Sequence, residues 1–138
     1  PIGNELTMTN IEEEVMAAYS DCNQESYKYG SGGRNLHFRA SEQVSVEEAQ
    51  RIMEKAIPGG YNAFKADLLD HLPTECKVQI AREYSVCIYV EFTEEVSRPS
   101  LFDAGRDAWA AMNADEVNRV QEYSDVTTDG FIVRFWWD

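Results

Sequence analysis

Between Lys77 and Phe92, hydrophobic and polar positions alternate almost without exception. Even-numbered residues read Val78, Ile80, Arg82, Tyr84, Val86, Ile88, Val90 and Phe92, and odd-numbered ones Lys77, Gln79, Ala81, Glu83, Ser85, Cys87, Tyr89 and Glu91. A period of two is the signature of a half-buried strand, and β-branched and aromatic residues suit its pleated surface. The stretch outruns the usual strand of about 5–6 residues. A bend, bulge or break is therefore expected near Arg82–Glu83, where Arg82 is the one charge on the apolar face.

Helical spacing governs most of the remainder. Thr9 or Asn10 can cap a helix running to about Asp21, with Glu12, Glu13 and Glu14 complementing its dipole and Ile11, Val15, Ala18 and Tyr19 as its stripe. Leu36 and Phe38, alternating with His37 and Arg39, read as a short strand. Ser45-x-x-Glu48 is a capping box opening a helix with Val46, Ala49, Ile52, Met53 and Ala56 on one face, and Pro58-Gly59-Gly60 ends it. A further helix is expected from about Tyr61 to Leu72, on the stripe Tyr61, Phe64, Leu68 and Leu72. Another opens at Ser100, with a break at the second box Asn113-x-x-Glu116 and a continuation through Val117 and Val120 towards Tyr123. Asp125 to Gly130 is a turn. The chain ends in a strand from Phe131 to Trp137 whose adjacent Trp136 and Trp137 must face opposite ways.

The expected fold is therefore α+β, with an antiparallel sheet of three or four strands and helices packed mainly on one face. Length changes this picture little: 138 residues suit a single domain, read as 8–138. Residues 1–7 are read as an appended or disordered leader. Three cysteines, Cys22, Cys76 and Cys87, show neither a disulfide framework nor zinc-ligand spacing, so no cofactor or metal is expected and the compartment is read as cytoplasmic. No run approaches the ~18 apolar residues of a membrane span.

Charge narrows the classes of partner. Twenty-five acids against 12 bases give a net charge of −13. Such a field repels nucleic acid and anionic membranes and attracts basic surfaces. Glu12, Glu13, Glu14, Glu91, Glu94, Glu95, Asp115 and Glu116 are the acids expected to face a partner. Trp136 is a candidate interface anchor, and the terminal strand, if it is an edge, offers a route to a homodimer.

One segment runs against the acidity. From Ser26 to Ser41 there is no acid, and the Gly-rich turn carries Lys28, Ser31, Gly32, Gly33, Arg34, His37 and Arg39, with Tyr27 and Tyr29 interleaved. Backbone N–H groups and bases of this kind can hold an anion such as a nucleotide, although no phosphate-loop spacing is present. Asp67, Asp70 and His71 share helical spacing that a metal could use, but a solvated helix face explains them as well. Cys22 with His37, or Cys76 with His71, could form a nucleophile pair only if the fold brings them together.

These observations favour a cytoplasmic, non-enzymatic protein that binds and blocks a basic protein surface. Inhibitor, immunity or nucleic-acid-mimic proteins of phage or bacterial origin work in this way. The alternative expectation is a small anionic ligand, a nucleotide, held by loop 27–39.

Overall fold

The structure, a computed structural model, describes residues 10–20, 37–92, 110–120 and 131–138. Residues 1–7, Cys22, Lys28, Ser31, Gly32, Gly33, Arg34, Glu94, Glu95, the helix start at Ser100 and the turn from Asp125 lie outside the described residues.

The alternating stretch is a hairpin. β3 (Lys77–Glu83) and β4 (Ser85–Phe92) pair antiparallel, with Glu83 opposite Ser85 and Val78 opposite Val90. The reversal rests on Tyr84 alone, at a φ of 64°. A side chain in that left-handed region costs energy that glycine would not. The expected break thus falls one residue beyond Glu83. Tyr84 leaves the apolar face to become the exposed tip, 58% accessible.

Around this hairpin the described residues build one antiparallel sheet of six strands, rather than three or four. β1 (His37–Arg39) and β2 (Val44–Ser45) share one edge of β3, at its two ends. β6 (Phe131–Trp137) lies along β4, and β5 (Glu116–Val120) closes the other side. The terminal strand is therefore internal, and pairing with a second copy through its edge is not open to it. Among the described residues the edge there belongs to β5.

β5 also corrects the expected helix through Val117 and Val120. Asn113, at a φ of 57°, stops the preceding helical turn. Val117 packs against the main core while Val120 joins the opposite cluster. A three-residue spacing that reads as one helical face is here two faces of a strand.

The described helices pack with the even-numbered face of the hairpin. α1 (Asn10–Ala18) and α2 (Val46–Ala56) bury the predicted stripes, Ile11, Val15 and Ala18 on one and Val46, Ala49, Ile52, Met53 and Ala56 on the other. Ser45 Oγ accepts the Glu48 N–H at 3.1 Å, as the capping box requires. Gly60, at a φ of 94°, is obligatory, since a Cβ there would sit 2.2 Å from the Phe64 carbonyl oxygen.

The helix expected over Tyr61–Leu72 is only a 3-10 helix, Ala66–His71. Asn62, at a φ of 53°, and a local bridge between Tyr61 and Phe64 turn the chain so that Phe64 enters the core. Leu69 is then the fully buried leucine, and Leu68 only partly so.

Candidate functional site

The odd-numbered face of the hairpin carries the polar chemistry. Strand register sets its rows: Arg39, Ala81, Cys87, Trp136 and Glu116 lie side by side across the sheet. The next row brings Gln79, Tyr89, Arg134 and Asn118 together, and the one beyond it Lys77, Glu91, Ile132 and Val120. Ala81, Cys87, Tyr89 and Ile132 form a small buried cluster there, with Val120 and Trp136 packed against it.

Glu83 anchors this face. Its Oε1 takes Arg134 Nη2 at 2.8 Å, and its Oε2 accepts a short hydrogen bond from the Tyr89 hydroxyl. Its carbonyl accepts Trp136 Nε1 at 2.7 Å. Arg134 also reaches Glu116 at 2.9 Å and Asn118 at 2.8 Å. Burial by itself would raise the Glu83 carboxyl, but the bonds from Arg134 and Tyr89 outweigh it and hold the group below the ordinary carboxylate range. Burial, together with the Glu83 contact, pushes the Tyr89 phenol up.

Tyr89 is the centre of the site. Arg39 stacks on its ring with the guanidinium carbon 3.9 Å from the centroid, held by its Nε donating to Gln79 Oε1 at 2.9 Å. Gln79 Nε2 in turn donates to the Ala40 carbonyl at 2.7 Å. Two clefts meet at the ring. One, about 350 Å³, is lined by Ser41, Glu42, Gln43, Gln79, Tyr89, Glu91 and Ile132. The other, about 300 Å³, is lined by His37, Phe38, Arg39, Arg82, Glu83 and Tyr89.

The fold thus gathers Arg39, His37, Glu91, Glu116 and Trp136 on one face, although the sequence offered them as two separate sets. It does not bring Glu12 there. Glu12 is 2% exposed and sits between α1 and α2, where it takes Lys55 Nζ at 2.6 Å and Arg51 Nη2 at 3.4 Å. The Lys55 bond, against the pull of burial, holds its carboxyl low. An acid expected on the partner-facing surface is instead an internal clamp. Glu13 is exposed, Glu14 accepts from the Ser41 hydroxyl at 2.9 Å, and Asp115 accepts the Asp138 N–H at 2.7 Å.

Asp70 accepts from Gln50 at 2.7 Å, and among the described residues no group of three or more His, Cys, Asp or Glu could hold a metal ion. Cys76 and Cys87 are buried. Burial pushes the Cys76 thiol up to about 12 and the Cys87 thiol up as well, so neither presents a ready thiolate. Among the described residues no helix is long and apolar enough to cross a membrane.

Sequence reasoning missed Glu42, Gln43, Gln79, Glu83, Tyr89, Ile132 and Arg134 as site residues. Tyr89 carried a signal, as the one aromatic on the polar side of the alternation. The others carried none.

A pH dependence follows from Glu83 and Glu12. Their folded carboxyls lie below the unfolded value of about 4.3. Their stabilisation is therefore complete above that value and is lost as pH falls through the folded ones. Glu83→Gln is expected to cost about 1 kcal/mol at pH 7. It should also flatten the decline of unfolding free energy below about pH 4.3. Urea denaturation at stepped pH measures both, and an unchanged slope in the variant would rule out this role for Glu83.

The chain matches no protein-family model, no curated protein and no solved structure.

Proposed function

We propose that this protein acts by binding another protein through complementary charge, as a small acidic inhibitor or immunity-type protein that covers a basic surface. The division of its charges supports the reading. Among the described residues, Arg51 and Lys55 are held by Glu12, Arg134 by Glu83 and Glu116, and Arg39 by Gln79 and Tyr89, while Arg82 is buried. Glu13, Glu42, Glu47, Asp67 and Glu75 are exposed, and their side chains form no hydrogen bond or ion pair with any described residue. Most of the described bases are thus committed within the molecule, with Lys65 and Lys77 as exposed exceptions, while these acids are left for a partner. The expected mechanism is electrostatic steering to a basic target followed by steric block.

Capture from host lysate at low salt, with elution by a salt step, should yield a stoichiometric basic enzyme or nucleic-acid-binding protein. Its affinity, titrated as ionic strength rises from about 0.05 to 0.5 M, should fall by about tenfold or more, because screening shortens the reach of exposed charges. Binding indifferent to salt would remove the electrostatic mechanism.

A further inference from the structure

The cleft on the acidic side of Tyr89 has walls suited to a cation. Its volume of about 350 Å³ falls within the size of small-ligand sites. Ser41, Glu42 and Gln43 come from the β1–β2 connection, Gln79 from β3, Tyr89 and Glu91 from β4 and Ile132 from β6. Among the described residues, no lysine, arginine or histidine lines it. Among the described residues the Glu42 side chain has no partner, and Glu91 is held through one neutral amide, Gln43 Nε2 at 2.8 Å. Lys77 lies opposite Glu91 in the ladder but forms no ion pair with it. Tyr89 already carries a guanidinium, that of Arg39, against its ring.

We propose that this cleft receives an arginine or lysine side chain projecting from the basic partner, an inference that rests on the binding reading above. Ile132 and Tyr89 offer apolar surface to the aliphatic stem, as long basic side chains require. Glu42 and Glu91 meet the charged head, and charge-assisted bonds to a fork of N–H donors are the strong kind. Gln43 positions Glu91. Gln79, spent on Arg39 and Ala40, keeps the Arg39–Tyr89 wall in place.

The probe is N-acetyl-arginine methylamide, titrated into the full chain and followed by backbone amide shifts. Saturable shifts should centre on Gln43, Gln79, Tyr89 and Glu91. Glu42→Gln combined with Glu91→Gln should weaken binding by about tenfold. Glu54→Gln combined with Asp70→Asn removes the same charge elsewhere, keeps an acceptor for Gly59 and Gln50, and should leave binding within about twofold, as exposed charges act weakly at a distance. Shifts scattered over all acids without saturation, or equal losses in both double variants, would overturn the cleft. Salt-sensitive capture of a basic partner that survives Glu42→Gln with Glu91→Gln also overturns the cleft, and leaves the binding reading standing. Saturable arginine binding without any basic protein partner overturns the reading instead, and leaves the cleft as a site for small cations.

Discussion

Replacing Trp137 by alanine is expected to cost about 4 kcal/mol, a large share of the roughly 5–15 kcal/mol that holds a typical domain folded. Trp137 is fully buried, and its indole N–H donates to the Met112 carbonyl at 2.9 Å. Its ring meets Phe64 edge-on with centroids 4.8 Å apart and lies beside Phe135 at 6.2 Å. Truncation would lose the apolar transfer energy, leave a cavity among rings that can close it only in part, and orphan a buried carbonyl. Trp136, its neighbour, is half-buried on the opposite face and donates to the Glu83 carbonyl. Trp136→Ala should therefore cost only about 1–2 kcal/mol. Urea denaturation of the two variants tests the difference. Equal losses, or a larger loss at Trp136, would contradict the assignment of Trp137 to the core.

Arg82→Ala is expected to cost about 3 kcal/mol, although it removes a charge from the interior. The side chain is fully buried. Its Nη1 donates to the Ala18 carbonyl at 2.8 Å and its Nε approaches the Tyr84 carbonyl at 3.4 Å. The guanidinium also lies 5.5 Å from the Tyr19 ring centre. One side chain thereby ties the C-terminal end of α1 to the tip of the hairpin, and a cation there complements the helix dipole. Alanine would leave a hole and two unsatisfied acceptors. Methionine fills most of the volume but bonds neither carbonyl, so Arg82→Met separates the two contributions. A loss of about 1–2 kcal/mol for methionine would assign that part to hydrogen bonding. Wild-type stability in Arg82→Ala would show that Arg82 ties nothing together. Amide exchange at Tyr19 and Ser85 should quicken in both variants before the rest of the sheet opens.

Much of this architecture was legible where a signal is local. The Ser45 cap and the α2 stripe needed only i, i+3 and i+4 spacing, and the structure buries all five predicted residues. Arg82 marked the neighbourhood of the break because a charge on an apolar face needs a local irregularity or a special partner. The route to the site was less direct. Arg39 came from a basic segment and Glu91 from the acids, and only their placement across β1, β3 and β4 puts them around Tyr89. Glu42 and Gln43 belong to a connection whose pattern signals nothing.

The sequence by itself determined the apolar stripes of α1 and α2, the inward faces of β3, β4 and β6, where α2 begins, and the sign of the molecule's field. These depend on neighbours a few residues apart or on a plain sum of charges. The tertiary structure alone decided that Lys77–Phe92 doubles back. Folding about one residue maps even positions onto even positions, so the alternation is the same in one long strand and in a hairpin. It alone decided that β6 lies inside the sheet, because strand order depends on pairings between distant segments. It alone buried Glu12, whose partners Arg51 and Lys55 stand 39 and 43 residues away along the chain. A carboxylate leaves water only where a fold supplies the charges to meet it.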